Sequence, residues 1–340
     1  MKNRIETYII GEIGQNHNGS VDIAKLLIDM VARPIVEDLF GLNLKPINAI
    51  KLTKRDLKEE LSASQMNARY DSPNSFGKTY GEHRAYLELS DEEHFECYKY
   101  AKSYGFDFVE TLCSVGCLSL LKLFTPDKLK VASRDLTNLP LLNSLAETKI
   151  PIILSTGMAG KKELDEALNI IHNHHDEIAI LHCVSEYPTH PCNVNLNSIL
   201  YLKEFYSKYQ IGYSDHTVGI STPLAAVSLG AEIIEKHITL DRRMKGTDQA
   251  GSLGPDGLNR MSFGKNDIFI DDSVTIAKNK LERSIATRRN MKAGEVIRES
   301  DIQLLSPGDG LKWIDRAKII GKTLAIDLPQ DEIIYLNLLK

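Results

Sequence analysis

The sequence is short of cysteine, of long apolar runs and of net charge, and each shortage excludes a class of protein. Five cysteines, Cys97, Cys113, Cys117, Cys183 and Cys192, are too few and too irregularly spaced for a disulfide framework. Cys113 and Cys117 lie close together, but no second Cys/His pair follows at zinc-finger spacing, so all five read as reduced thiols. No apolar stretch exceeds strand size, so no segment is expected to span a membrane. The N-terminus carries early charge at Lys2, Arg4 and Glu6 and no apolar run of signal length, and the expected location is the cytoplasm. Lys and Arg total 41 against 46 Asp and Glu, a formal charge of −5, which argues against a nucleic-acid surface as the main business. A local basic pocket for a small anion stays open. There is no P-loop, and Gly11-Glu12-Ile13-Gly14 lacks the third glycine of a dinucleotide fingerprint.

What remains is a globular composition, 42% hydrophobic and 26% charged, over 340 residues. That length accommodates one large domain with a small one, or two of medium size. Short runs rich in Ile, Val, Leu and Phe recur at Tyr8–Ile13, Ala49–Leu52, Phe106–Thr111, Leu129–Ala132, Ile152–Ser155, Ile178–Cys183, Ile211–Tyr213 and Glu232–His237. Helix-period segments lie between them, among them Val21–Val31, Asp91–Ser103, Lys161–His172, Asn197–Tyr206 and Thr222–Leu229. Ser90 followed by Asp91-Glu92-Glu93 reads as an N-cap with acids in the first turn. Eight alternations fit a (β/α)8 barrel better than an open doubly wound sheet. The polar connection from Leu52 to Ser90 is the long exception, read as an active-site loop. We expect the barrel over residues 1–262, a linker helix over 263–284 and a small separate domain over 285–340.

A barrel of this type gathers its functional side chains at the C-terminal ends of the strands. All eight runs end in polar groups: Glu12 on the first, Lys51 on the second and Thr111 on the third. The fourth is bracketed by Lys130 and Ser133, with Asp135 beyond; the fifth ends at Ser155 and the sixth leads to Ser185 and Tyr187. The seventh leads to Ser214-Asp215-His216, and the eighth ends at Glu235-Lys236-His237. His216 and His237, at neighbouring strand ends, could share one divalent ion and leave its other positions open, or could simply be satisfied by local hydrogen bonds. Lys51, Lys130, Ser133, Ser155 and Ser214 form the donor set that a phosphate or carboxylate requires; each lysine alone would read as a solvated charge. His172, His174 and His175 belong to a helix end and read as surface residues.

The stretches GEIGQNHNGS, KVASRDLTNLPLL, ILSTGM, LHCVSEYPT, IGYSDHTVGI, AAVSLGAEIIEKHITLD and KGTDQAGSL resemble, in order and spacing, the sialic acid synthase family. The tail from Ile285 is similar to that family's C-terminal antifreeze-like (SAF, β-clip) domain. The resemblance implies a TIM barrel followed by that small domain, and condensation of phosphoenolpyruvate with an aldose acceptor to a 3-deoxy-2-keto acid of the nonulosonic type. It further implies manganese or magnesium held by His216 and His237. Lys51, Thr111, Lys130, Ser133, Ser155 and Ser214 would then hold phosphoenolpyruvate. Asp135, Ser185, Tyr187 and Asp248 would serve the sugar, with Glu12, Lys51, Glu235 and His237 as the catalytic set and either glutamate as the base. It implies a domain-swapped homodimer, with no nucleic-acid or membrane partner.

The chain also departs from the free-sugar synthases. Lys51-Leu52-Thr53-Lys54 lacks their glutamine, Asp248-Gln249 replaces Asp-His, and Ser306 precedes Pro307-Gly308 where an arginine is common. Phe76–His83 with Leu87–Ser90 looks like the branch that acts on 6-phosphorylated acceptors, and Lys54, Arg55, Lys78 and Arg84 are candidates for the distal phosphate. A barrel metallohydrolase and a non-catalytic sugar-binding barrel are the competing readings; the first lacks a His-x-His on its first strand.

Overall fold

Alternation of side chains along each strand determines what this molecule buries and what it presents. The computed structural model describes residues 7–33, 35–37, 42–44, 47–260 and 275–340. The chain divides into two compact units, Met1–Lys265 and Asn266–Lys340. In the first, eight parallel strands close into a barrel: β1 (Tyr8–Gly14), β2 (Ala49–Lys54), β3 (Asp107–Leu112), β4 (Lys128–Val131), β5 (Ile152–Ser155), β6 (Ile178–Cys183), β7 (Gln210–Asp215) and β8 (Ile233–His237). β8 pairs with β1, so the sheet has no free edge. Each expected strand is present, shifted at its ends by two residues at most.

The inward positions read apolar at the bottom and polar at the top. Ile10, Ala49, Val109, Ile153, Ala179, Leu181 and Ile233 form an interior plug. Two residues further along, the same faces carry Glu12, Lys51, Thr111, Ser155, Cys183 and Glu235. The outward positions pack under the helices in a second, larger core that includes Phe108, Leu129, Leu154 and Tyr213. Chain connectivity thus needs no special device to put charge at one rim; a two-residue advance along a closed parallel sheet does it.

The helices begin where capping residues allow. Ser90 accepts from Glu93 N while the Glu93 carboxylate accepts from Ser90 N, a capping box for the helix Asp91–Ser103. Thr79 and Glu82 do the same for the helix Tyr80–Leu87. That helix, with Leu57–Glu60 and Ala63–Asn67, lies inside the connection read from sequence as a loop. Its apolar face is thin, since only Gly81, His83 and Leu87 are buried, so hydrophobic periodicity does not reveal it. Between β3 and β4 the crossover is a 3-10 segment, Gly116–Lys122. An antiparallel pair, Ile35–Glu37 with Leu42–Leu44, was not expected.

The expected linker helix falls partly on residues 261–274, which lie outside the described residues; the helix that is described runs Thr275–Leu281. The second unit is built on the antiparallel pair β9 (Ser284–Thr287) and β10 (Ile302–Leu305), with a core of Ile285, Met291, Ile297, Ile302, Ile319, Leu324, Leu328 and Ile334. Among the described residues no helix is long and apolar enough to cross a membrane.

Phe108 shows how the outer core is held. Its ring meets Tyr98 and Phe124 edge-on, with centroids 5.5 and 5.8 Å away. Phe108→Ala is expected to cost about 3–5 kcal/mol in urea unfolding of the first unit, followed by circular dichroism. A loss below about 1 kcal/mol would show that this cluster collapses around the gap and holds little.

Candidate active site

At the C-terminal rim of the barrel opens a cavity of about 490 Å3. Of the residues expected there, Glu12, Lys51, Thr111, Lys130, Ser133, Ser155, Ser185, Tyr187, Ser214, His216, Glu235, His237 and Asp248 all line it. Its floor is a quartet of opposed charges. Lys51 Nζ is 2.6 Å from Glu12 Oε2 and 3.9 Å from Glu235 Oε2. Lys130 Nζ is 3.6 Å from Glu235 Oε1. Hydroxyls complete the set: Lys51 donates to Thr111 Oγ1 (3.2 Å), Lys130 to Ser155 Oγ (2.6 Å), and Ser214 Oγ to Glu235 (2.8 Å). All four ionisable side chains are buried.

Two carboxylates in one pocket cannot be equally at ease. Burial, reinforced by the negative charge of Glu235, pushes Glu12 up to about 7 even though Lys51 opposes the rise. Burial works against the Glu235 carboxylate too, but the ammonium groups of Lys130 and Lys51 and the Ser214 hydroxyl outweigh it and hold Glu235 below the usual range. Burial lowers Lys130, against the pull of Glu235. Lys51 is raised: burial works to lower it, and Glu12 and Glu235 prevail.

The histidines sit on the adjoining wall with ring centroids 5.6 Å apart. Tyr187 lies 4.0 Å from the His216 ring and 6.3 Å from that of His237. His216 Nδ1 is 2.9 Å from Val184 O, a contact that suits a donating Nδ1–H and leaves the other ring nitrogen its lone pair. His237 Nδ1 is buried with no hydrogen-bond partner, and burial lowers the His237 pKa, so the ring is neutral at neutral pH. Neutral imidazoles with an unsatisfied nitrogen are what a divalent ion needs. Among the described residues no group of three or more His, Cys, Asp or Glu forms a metal-holding cluster. These two histidines would therefore supply two ligands and leave the rest to substrate or water.

Two glycines make room. Gly14 adopts φ +53°, and a Cβ there would stand 2.8 Å from Glu12 Oε1 and 3.1 Å from His237 Cε1. A Cβ on Gly157 would stand 2.5 Å from Ser185 Oγ and 2.9 Å from Ser133 Oγ, the hydroxyl that accepts from Gly157 N.

Three of the expected residues fall outside the cavity lining. Asp135 does not line the cavity; past Val131 the chain turns through the 3-10 segment Ser133–Asp135, which breaks strand alternation. Its carboxylate accepts from Arg134 Nε (3.2 Å), and Arg134, not singled out from sequence, lines the cavity in its place. Lys54 and Lys78 also fall outside the lining: Lys54 is paired with Asp91 (2.9 Å) and donates to Leu89 O, and Lys78 is exposed. Arg55 and Arg84 do line it. Glu60 bridges the Arg55 and Arg134 guanidiniums at 2.8 and 2.6 Å, and Gln15 with Tyr80 holds Arg84. Asn74, Met158 and Thr247 also line the cavity; none is singled out from sequence as a site residue, although Met158 and Thr247 lie within the stretches ILSTGM and KGTDQAGSL. His172 is elsewhere, bonded to Tyr209 and Asp176 on the outside.

A closed parallel barrel with a charged floor, paired histidines and an arginine-rimmed mouth at the C-terminal ends of its strands has the layout of barrel enzymes, whose sites lie at that rim. The NeuB family model matches residues 45–269, and the SAF domain model matches residues 282–340. The chain belongs to the NeuB family. It is 30% identical to N-acetylneuraminate-9-phosphate synthase of Drosophila melanogaster, over 97% of this chain and 95% of that one. It is 32% identical to N,N'-diacetyllegionaminic acid synthase of Campylobacter jejuni, over 97% and 99%. Among solved structures it matches the N-acetylneuraminic acid (sialic acid) synthetase of Leptospira borgpetersenii, in complex with citrate, with a TM-score of 0.63 and 31% identity over 80% of this chain and 90% of that one.

The raised Glu12 can be observed directly. Its folded carboxyl binds a proton more tightly than an unfolded one, so its contribution to stability is greatest below the ordinary glutamate range and declines as pH rises through about 7. Infrared spectra of the apo protein should carry a protonated-carboxyl band that fades between about pH 6 and 8 and is missing in Glu12→Gln. A band that survives the substitution belongs to another group and refutes the assignment.

Proposed function

We propose that this chain condenses phosphoenolpyruvate with an aldose to give a nonulosonic-type 3-deoxy-2-keto acid and phosphate. The observation that carries this is the floor of the cavity, where Lys51 and Lys130 stand with Thr111, Ser155 and Ser214 beside two histidines. Phosphoenolpyruvate carries a phosphate and a carboxylate on three carbons, so its recognition needs two cationic centres at short spacing, ringed by donors. Bound there, it meets an ammonium pair already held by carboxylates, of which Glu12 remains as a proton carrier. Names of similar proteins support the same chemistry: both relatives described above are synthases of nonulosonic acids.

In the proposed reaction C3 of phosphoenolpyruvate bonds to the aldehyde carbon of the acceptor, and the aldehyde oxygen takes a proton. Water adds to C2, the bond from C2 to the phosphate oxygen breaks, and phosphate leaves. Manganese or magnesium held by His216 and His237 would supply Lewis-acid polarisation of the aldehyde oxygen. Glu12, with its raised pKa, suits the proton delivery and removal that the sequence required, whereas Glu235 remains ionised and holds both lysines. Tyr187 and Asp248 line a small recess together with His216 and His237 and suit the sugar hydroxyls.

The mouth favours an acceptor with a distal anion. Arg55, Arg84 and Arg134 line it, each held by carboxylate, amide or phenol partners, so little side-chain entropy remains to be lost on binding. An unphosphorylated acceptor, such as N-acetylmannosamine or a deoxy-diacetamido hexose, is the second reading. Phosphate release from phosphoenolpyruvate should depend on an added 6-phosphorylated acylhexosamine and stay at background with the free sugars. The reverse pattern would overturn the distal-anion reading and leave the condensation intact. His237→Ala should lower metal-dependent turnover at least about a hundredfold without changing the circular dichroism spectrum; undiminished turnover would refute the metal assignment.

A further inference from the structure

The same strands that present the histidines carry a second ion pair on their opposite face. β7 and β8 pair in register, Glu235 with Ser214 and Lys236 with Asp215. Ser214 and Glu235 face the cavity, so Asp215 and Lys236 face outward beneath the helices, where both are 1% exposed. Asp215 is saturated. Its Oδ1 accepts from Tyr213 OH (3.0 Å) and Thr217 N (2.9 Å); its Oδ2 accepts from Thr217 Oγ1 (3.1 Å) and Lys236 Nζ (2.5 Å). Lys236 Nζ also donates to Thr217 O.

One ammonium therefore grips the residue before His216 and the residue after it, while its own backbone leads directly into His237. Movement of the His216 turn relative to the end of β8 must break a bond to Lys236. A buried pair of this kind is a poor source of stability, because burying both ions costs about as much as their attraction returns, and apolar replacements of such pairs are often neutral. What the pair does supply is a fixed relative position, the use for which buried polar contacts are best attested.

We propose that Lys236 and Asp215 are positioning residues: they form an outer strut that sets the separation of the His216 and His237 rings, and through it the affinity for a divalent cation. The clause on affinity rests on the metal reading given above; the clause on ring separation does not.

The test uses the full chain and the double variant Asp215→Asn/Lys236→Met, which removes both charges, keeps both shapes and leaves neither ion unpaired. Manganese alone is the probe, with the free ion counted by electron paramagnetic resonance. The double variant should melt within a few degrees of the parent and bind manganese about 10- to 100-fold more weakly, the effect expected when the groups orienting metal ligands are lost. A crystal structure of the metal-free variant should show the two rings displaced from their 5.6 Å separation. Parental affinity, or rings that stay in place, overturns the strut. If the parent chain itself fails to bind manganese, the metal reading falls, and the ring separation alone still decides for or against the strut. Should the double variant not fold, Thr217→Val, which removes one donor to Asp215, takes its place. A several-fold weaker affinity supports the proposal and an unchanged one contradicts it.

Discussion

The mouth of the barrel depends on one arrangement, the alternation of Glu12, Lys51, Glu235 and Lys130 around a buried floor. No one of these charges would be stable there alone, since an uncompensated buried ion costs several kcal/mol or neutralises itself. Together they are tolerated, and they put two ammonium groups on one buried floor, as the proposed anionic substrate requires. The apolar plug of Ile10, Ala49, Val109, Ile153, Leu181 and Ile233 beneath them keeps water from below and raises the strength of each interaction above. The asymmetry between the two carboxylates follows from position: Glu235 lies between both lysines, while Glu12 is next to one.

Most of this was legible in the sequence because the barrel rule converts strand ends into neighbours. The eight apolar runs located the strands, and the residue two steps past Ile10, Ala49, Val109, Ile153, Leu181 and Ile233 lines the cavity in each case. The rule fails where a strand has ended. At Ser133–Asp135 a 3-10 turn replaces the two-residue repeat, so Arg134 enters the cavity and Asp135 merely braces it. Lys54 fails for a different reason: a long side chain goes to its nearest carboxylate, here Asp91, which the sequence cannot place.

The connection after β2 is helical where its sequence reads as a loop. Its helices bury too little to generate an apolar stripe, and the readable signal was the Thr79-x-x-Glu82 capping box. That helix matters, because it delivers Arg84 to the mouth, where Gln15 and Tyr80 fix it. Inner and outer faces of β7 and β8 also divide labour: one presents Ser214, Glu235 and the histidines, the other joins the two strand ends through Asp215 and Lys236.

If the Lys51–Lys130 floor is where phosphoenolpyruvate binds, calorimetric titration of phosphoenolpyruvate into the apo protein and into Lys130→Met will show it. Loss of one charge-assisted contact of about 1.5–3 kcal/mol should weaken binding at least about tenfold in the variant, compared at a temperature where circular dichroism shows both proteins folded. Equal affinity in the two proteins would contradict the account.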